Sequence, residues 1–544
     1  MLSRIAQQKA NTASTIYAFV LENLVMKSSG HMLKVLAIGL SVMSFPGHVA
    51  FSQTAGEVDR SATLRYAWST PPADYDPPFA KSPYQLLAYA LPIYDTLVRI
   101  DEKANIVPSV ATSWNFSGDG MTLTMKLRSG VKFSDGSLLD AAAVVRSLNR
   151  TKNDPNSLLK GQLTSFDSFE APDPSTVVLK LKIQDASALY ALTTGAGMIV
   201  SSKALDDGVK LGEKPVGSGP YTLVSSGSEG ATYQRNEDYF DKSQNQFAKV
   251  TLQVVADLNA RFNLLQSGQI DVGLFQADQS ILTRAKQLAT SGRFTSYGKP
   301  SVNSMPLYIN SKIPPFDNPK VRMALNLAID RNAVNSALLN NECDPTSQPL
   351  PPGSVGHDPS LVPYKQDIAK AKALLEEAGV KPFSFDALVT MAEPIASVGV
   401  LMKAQFEAIG VTMNILPTPG GPIRPMFRSG KYAGSIVTLS VVSPDSTSII
   451  DSTFMAGDLP GGVTPEFAKA VQDAKTKPIG SAEREAAYKA ISKMAYNDPQ
   501  YVMTCWLPMI IIARNGYVGA DKAPYLAAAP IADIRNYSML KSTK

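Results

Sequence analysis

Residues able to do covalent or metal chemistry are scarce in this chain of 544 residues. Its histidines are His31, His48 and His357, and the first two fall in a stretch that reads as a leader. A nucleophile oriented by histidine, or a zinc site built on imidazoles, would have His357 alone to draw on. The sequence contains no G-x-S-x-G elbow and no convincing metal-ligand spacing. Gly217-Ser-Gly219 looks like the start of a phosphate loop, but it continues as Pro-Tyr-Thr with no helix signal, which argues against nucleotide binding. Two carboxylates brought together in space would be enough for glycoside hydrolysis, so a secreted α/β hydrolase stays as a minor alternative. Cys343 and Cys505 are the only thiols. They could pair in an oxidising compartment, and their spacing leaves that open. The expectation is a protein without catalysis and without a cofactor.

The elements around these residues start with the leader. Lys34 precedes the apolar run Val35 to Phe45, and Pro46-Gly47 ends it. The run is too short to cross about 30 Å of hydrocarbon and fits the apolar core of a secretory signal. Ala50 and Ser52 supply small residues for cleavage after Ser52, with Ala55 as an alternative, and residues 1–25 lie upstream of a more ordinary start. No cysteine stands near that site, so a lipid anchor is not expected and a periplasmic protein is. The formal net charge of +5 falls to +2 when Arg4, Lys9, Lys27, Lys34 and Glu22 are set aside. That is no footprint for nucleic acid. Charged residues at 18% and apolar ones at 44% exclude a largely disordered or membrane-embedded chain.

Further on, Met121, Leu123, Met125 and Leu127 alternate with polar residues, the period of a strand with one buried face. Gly118-Asp-Gly120 and Ser129-Gly130 supply turns, Val131-Lys-Phe133 reads as a short return strand, and Asp140 is placed to cap a helix. Tyr84 to Leu97 reads as a helix that Pro92 should kink or shorten. Asn318 and Pro319 mark a helix start. Asp367 to Gly379 and Val398 to Gly410 read as amphipathic helices closed by glycine.

The stretch from Tyr94-Asp-Thr-Leu-Val98 through Trp114, Gly118-Asp-Gly120 and Phe133-Ser-Asp-Gly136 to Arg150 closely resembles the signature of the peptide/nickel class (family 5) of extracytoplasmic solute-binding proteins, the receptors of ABC importers. Lys214-Pro-Val-Gly-Ser-Gly-Pro-Tyr221 resembles a second motif of that family, with Ser218 where threonine is commoner. Tyr233 to Phe240, Leu264 to Val272, Leu307-Tyr-Ile-Asn310 and Pro314 to Arg331 continue the likeness. One region departs from it. Peptide receptors of this class show Trp-x-x-Asp-x-x-Asp-Pro where this chain has Leu439-Ser-Val-Val-Ser-Pro-Asp-Ser446, so Leu439 replaces the tryptophan, Val442 the first acid and Ser446 the proline.

The resemblance implies an α/β, periplasmic-binding-protein-like fold of two lobes with an additional small α+β domain. It divides the chain into a leader (1–52), a first lobe (53–98 and 214–302), an accessory α+β domain (99–213), a second lobe (303–514) and a C-terminal return to the first lobe (515–544). The apolar run Tyr501 to Ile512 reads as the strand that leads back. The implied function is capture of a peptide or peptide-like solute in a closing cleft, with delivery to an inner-membrane ABC permease by a monomer. An opine, oligosaccharide or metal chelate is the alternative cargo. The residues expected to contact ligand are Tyr75, Tyr84, Ser218, Asn303, Ser443 and Asp445. Either Asp445 meets the ligand's ammonium group through a shifted register, or the ligand lacks a free amino terminus. Trp114 and Trp506 are expected in the core, and His357 in a solvated loop.

Overall fold

A computed structural model describes residues 57–541 apart from 73, 104, 277–278, 441–444, 456–458 and 523–532. The chain divides into Met1–Ala55 and Gly56–Lys544, and all the described elements belong to the second unit. The leader reading lies outside the described residues.

A nine-stranded sheet forms the base of the first lobe. Its middle is Thr63–Trp68, parallel to Lys249–Val254 on one side and to Val272–Gln276 on the other. Cys505–Arg514 lies between Val272–Gln276 and Phe294–Ser304, antiparallel to both. A five-stranded sheet organises the second lobe, running Val411–Thr418, Phe383–Thr390, Gly434–Ile436, Leu307–Ile309 and Tyr501–Val502. The chain passes between the two sheets three times, at 305–306, 437–438 and 503–504. Such short links keep the sheets adjacent while leaving few backbone angles to absorb a change in their mutual angle.

The disulfide sits at one of these crossings. Cys343 is joined to Cys505 with their Cα atoms 5.8 Å apart. The next two residues, Asp344 and Pro345, pair with Trp506 and Cys505, so a segment following the second-lobe helix Arg331–Leu339 is stitched to the crossing strand. Because Cys505–Arg514 belongs to the nine-stranded sheet, the chain re-enters that sheet at Cys505, ahead of the return expected at 515.

The accessory domain carries a four-stranded antiparallel sheet, in the order Ala111–Phe116, Thr122–Leu127, Thr176–Leu181, Phe166–Asp173. The helix Ala141–Asn153 covers the Phe166–Asp173 and Thr176–Leu181 side, and Asp140 caps it by accepting from the Ala143 N–H at 2.9 Å. The expected return strand at Val131–Phe133 is corrected. Both edges of Thr122–Leu127 are taken by Ala111–Phe116 and Thr176–Leu181, so Lys132 makes only an isolated bridge to Leu138 around the Asp135-Gly136 turn.

Helix starts follow their caps. Pro83–Ala90 is capped by Ser82 and stops before Pro92; Pro319–Ala328 is capped by Asn318; Ile368–Glu377 is capped by Asp367. Gly379 and Gly410 take φ of +68° and +77° after their helices, the left-handed region where glycine costs least. The Gly217-Ser-Gly219 turn packs backbone on backbone. A Cβ on Gly217 would lie 2.2 Å from the Ile93 carbonyl oxygen, and one on Gly219 2.5 Å from it. The Gly219 N–H donates to that same oxygen at 2.8 Å.

Candidate functional site

The accessory domain faces the second lobe across two cavities, of about 720 and 340 Å³. Both are lined by Tyr190 from the accessory domain and Asp445 from the second lobe. Among the described residues one backbone hydrogen bond joins the two walls, from the Ala186 N–H to the Lys475 carbonyl at 3.0 Å.

Asp445 is held from two sides. It caps the helix Ser446–Ile450, its Oδ1 accepting from the Thr447 N–H at 2.8 Å. It also accepts a forked contact from Arg484, whose Nη2 lies 3.0 Å from Oδ1 and 2.8 Å from Oδ2. Both side chains are almost fully buried, at 1% and 2% exposure. Arg484 comes from the helix Ala482–Asn497, capped by Ser481, and its Nη1 donates to the carbonyls of Ala474 and Lys477. Burial opposes the guanidinium's charge, but Asp445 together with Tyr488 and Asp185 outweighs it, and Arg484 is held above its ordinary value. Thr447 bonds both Arg484 Nη2 and the Tyr488 hydroxyl, which closes the network. An ion pair so placed stays formed only because its spare donors and acceptors are also satisfied.

The smaller cavity gathers a cluster of polar groups on a largely apolar wall. Hydroxyls of Ser165, Ser187, Thr447 and Ser452 line it, with the carboxylates of Asp185, Asp445 and Asp451 and the ammonium of Lys475. Lys475 Nζ donates to Asp451 Oδ2 at 2.6 Å, while Asp451 Oδ1 is buried with no hydrogen-bond partner. Burial pushes the Asp451 carboxyl up, and Lys475 opposes that. Three carboxylates against Lys475, with Arg484 offsetting Asp445, leave a site that favours N–H donors and positive charge.

The larger cavity is apolar and aromatic. Trp114, Phe116 and Tyr190 stand on one side, Val355 and Ile479 on the other. Trp114 is partly buried: it packs against the main core and also lines this cavity, so the expectation that it is core holds only in part. The reason is its place on an edge strand. Trp114 pairs with Met125 and Phe116 with Leu123, so both rings extend the apolar face of the sheet beyond the part the helix covers. The sequence signal for this is the Trp-x-Phe alternation. Trp506, in contrast, is fully buried.

The expected contact residues are not all brought together. Asp445 lines both cavities. Tyr75 is buried, its hydroxyl 2.8 Å from Ser226 Oγ, and neighbouring Asp76 takes a two-pronged contact from Arg150 at 2.5 Å. Ser218 is buried and donates to Asp95 at 3.0 Å. Asn303 is buried at the first-lobe side of a crossing, paired with Ser440. Neither cavity is lined by these three. Tyr84 lies in the helix Pro83–Ala90, and Ser443 lies outside the described residues. His357 Nδ1 is 3.0 Å from the Leu350 carbonyl. Among the described residues no cluster of three or more metal-ligating side chains occurs, and no helix is long and apolar enough to cross a membrane.

Known proteins resemble this chain in both sequence and fold. The model of bacterial extracellular solute-binding proteins, family 5 Middle, matches residues 105–458. A glutathione-binding protein, GsiB, of Pectobacterium atrosepticum is 34% identical over 289 residues, 53% of this chain and 55% of that protein. Its counterpart from Salmonella paratyphi A is 33% identical over 296 residues, 54% and 57% of the two chains. The chain thus spans about half the length of the curated relatives it matches. Among solved structures, the periplasmic binding protein DppA of Helicobacter pylori with the peptide STSA superposes with a TM-score of 0.77 at 22% identity, covering 88% of this chain and 98% of that one. AgaA of A. tumefacien R10 with agropinic acid gives 0.76 at 23%, covering 88% and 99%. NikZ of Campylobacter jejuni with Ni(L-His) gives 0.75 at 22%, with the same coverage. These likenesses show the fold: two lobes of mixed helix and sheet.

Proposed function

Taking as premise that the chain belongs to the bacterial extracellular solute-binding proteins, family 5, we propose that it is the periplasmic receptor of an ABC importer for a peptide or peptide-like solute. It holds its cargo unchanged and passes it to an inner-membrane permease. The observation that carries this reading is the pair of cavities between the accessory domain and the second lobe, spanned by the Ala186–Lys475 backbone hydrogen bond. A site enclosed that way exchanges solvent contacts for protein contacts when it closes, and a few polar groups then set the specificity.

Within that reading, Asp445 stays as a wall residue whose charge Arg484 already balances. The free acceptor is Asp451 Oδ1, which suits a ligand ammonium or amide N–H better than a carboxylate. Tyr75, Ser218 and Asn303 shape the surrounding backbone, and Tyr84 and Ser443 are carried forward as contacts to be tried by substitution. Names of relatives support peptides most: the GsiB proteins are glutathione-binding, and DppA was solved with a peptide. An opine is the second reading, favoured by the AgaA likeness.

A thermal-shift and calorimetric screen of the mature protein against di- and tripeptides, glutathione and opines checks the assignment. One class should raise Tm by mass action, and mass spectrometry should recover it chemically unaltered. Turnover of a bound compound, or no saturable binding by any of them, would refute it.

A further inference from the structure

We propose that the accessory domain is itself part of the binding machinery: the cavity of about 720 Å³ formed by Trp114, Phe116 and Tyr190 against Val355 and Ile479 of the second lobe is a subsite for an uncharged aromatic or branched aliphatic group of the ligand. This rests on the receptor reading above and goes beyond it by naming what the ligand must carry.

Continuity is the first reason for choosing a small ligand as the occupant. Tyr190 and Asp445 border both this cavity and the smaller one, so a molecule anchored by the polar groups of the smaller space has the larger one next to it. Charge is the second. The charged groups around the larger cavity are Glu102, Lys103, Asp445 and Arg484, two of each sign, and Asp445 and Arg484 are bonded to each other. A neutral group therefore enters without leaving a buried charge unpaired. Size is the third, since the volume lies within the range of about 300–1,000 Å³ that encloses drug-sized molecules.

The cavity also depends on closure. Ile479 of the second lobe packs against a small cluster of Ile100 and Tyr190 in the accessory domain. Seating an apolar group among these side chains joins the two walls, so the accessory domain contributes to specificity and is itself held against the second lobe. The partly buried rings of Trp114 and Phe116 would otherwise be left facing water when the accessory domain and the second lobe part.

The experiment is calorimetry on the mature protein with the tripeptides Ser-Gly-Ser, Ser-Gly-Leu and Ser-Gly-Phe, repeated on Trp114→Ala, Trp114→Phe and Ile479→Ser. The expected result is that Ser-Gly-Phe binds at least about tenfold more tightly than Ser-Gly-Ser. Trp114→Ala should remove that preference, and Trp114→Phe, which keeps a ring, should retain most of it. Ile479→Ser guards against misfolding of the tryptophan variant, because it probes the same cavity from the other lobe. Equal affinity for the three peptides, or a preference untouched in Trp114→Ala and Ile479→Ser, overturns the subsite while leaving the receptor reading in place. Absence of saturable binding by all three and by glutathione overturns the peptide reading, and the subsite with it.

Discussion

Replacing Asp95 by asparagine should change the pH dependence of stability by an amount that its surroundings set. Asp95 is fully buried where the family signature, the Gly217-Ser-Gly219 turn and the C-terminal segment meet. Ser218 donates to its Oδ2 and Tyr239 to its Oδ1, each at 3.0 Å, and Arg535 Nη1 lies 4.0 Å away. Burial pushes the carboxyl up from 3.8 to about 6, against the opposing pull of Arg535 and the two hydroxyls. A carboxyl raised on folding adds stability that is complete below its unfolded value near 3.8. That contribution is lost as pH rises through about 6. A shift of about two pH units at 1.36 kcal/mol each gives about 3 kcal/mol in full, of which about 2 to 3 falls between pH 4 and 7.5. Chemical denaturation of wild type and Asp95→Asn across that range isolates the effect, because all other titrations cancel in the difference. The wild type should gain about 2 to 3 kcal/mol relative to the variant on going from pH 7.5 to pH 4. A difference that stays flat across the range would mean that Asp95 titrates normally, and the account of this cluster would be wrong.

Asp445→Asn should cost about 3 to 5 kcal/mol of unfolding free energy, since it leaves Arg484 buried opposite a neutral group. The pair Asp445→Leu with Arg484→Met should cost less than either single change, and a double-mutant cycle by urea denaturation reads the coupling. Removing the disulfide by Cys343→Ser and Cys505→Ser opens a loop closed over a separation of 162 residues, and chain entropy puts the loss at up to about 5 kcal/mol. Tm of the oxidised wild type and the double variant tests it, and equal values would refute it. Gly219→Ala drives a Cβ against the Ile93 carbonyl and should cost about 1 to 3 kcal/mol, seen as a lower urea midpoint with an unchanged slope.

Much of the fold can be read from local chemistry, because caps, prolines and glycines act over a few residues. Asp140, Asn318 and Asp367 each start the helix expected of them. The return strand expected at 131–133 does not form because strand identity depends on which edge is free, and that is decided by Thr176–Leu181, some fifty residues away. The site is less legible for the same reason. Ser218 reads as a ligand contact because it sits in a family motif, yet its hydroxyl serves Asp95, a partner no local pattern reveals. Asp445 reads as a free counter-charge until the fold brings Arg484 to it from 39 residues further along. Trp114 carries its signal openly, but an alternating aromatic pair reads the same whether a helix covers it or a cleft opens beside it.

The strand Cys505–Arg514 is an interior strand of the nine-stranded sheet, between Val272–Gln276 and Phe294–Ser304, although it is drawn from near the far end of the chain. Until it arrives, the two halves of that sheet have an empty slot between them and no shared ladder, and the ring through Cys343 cannot be sealed. Such a polypeptide postpones its largest long-range pairings to the final stage of synthesis.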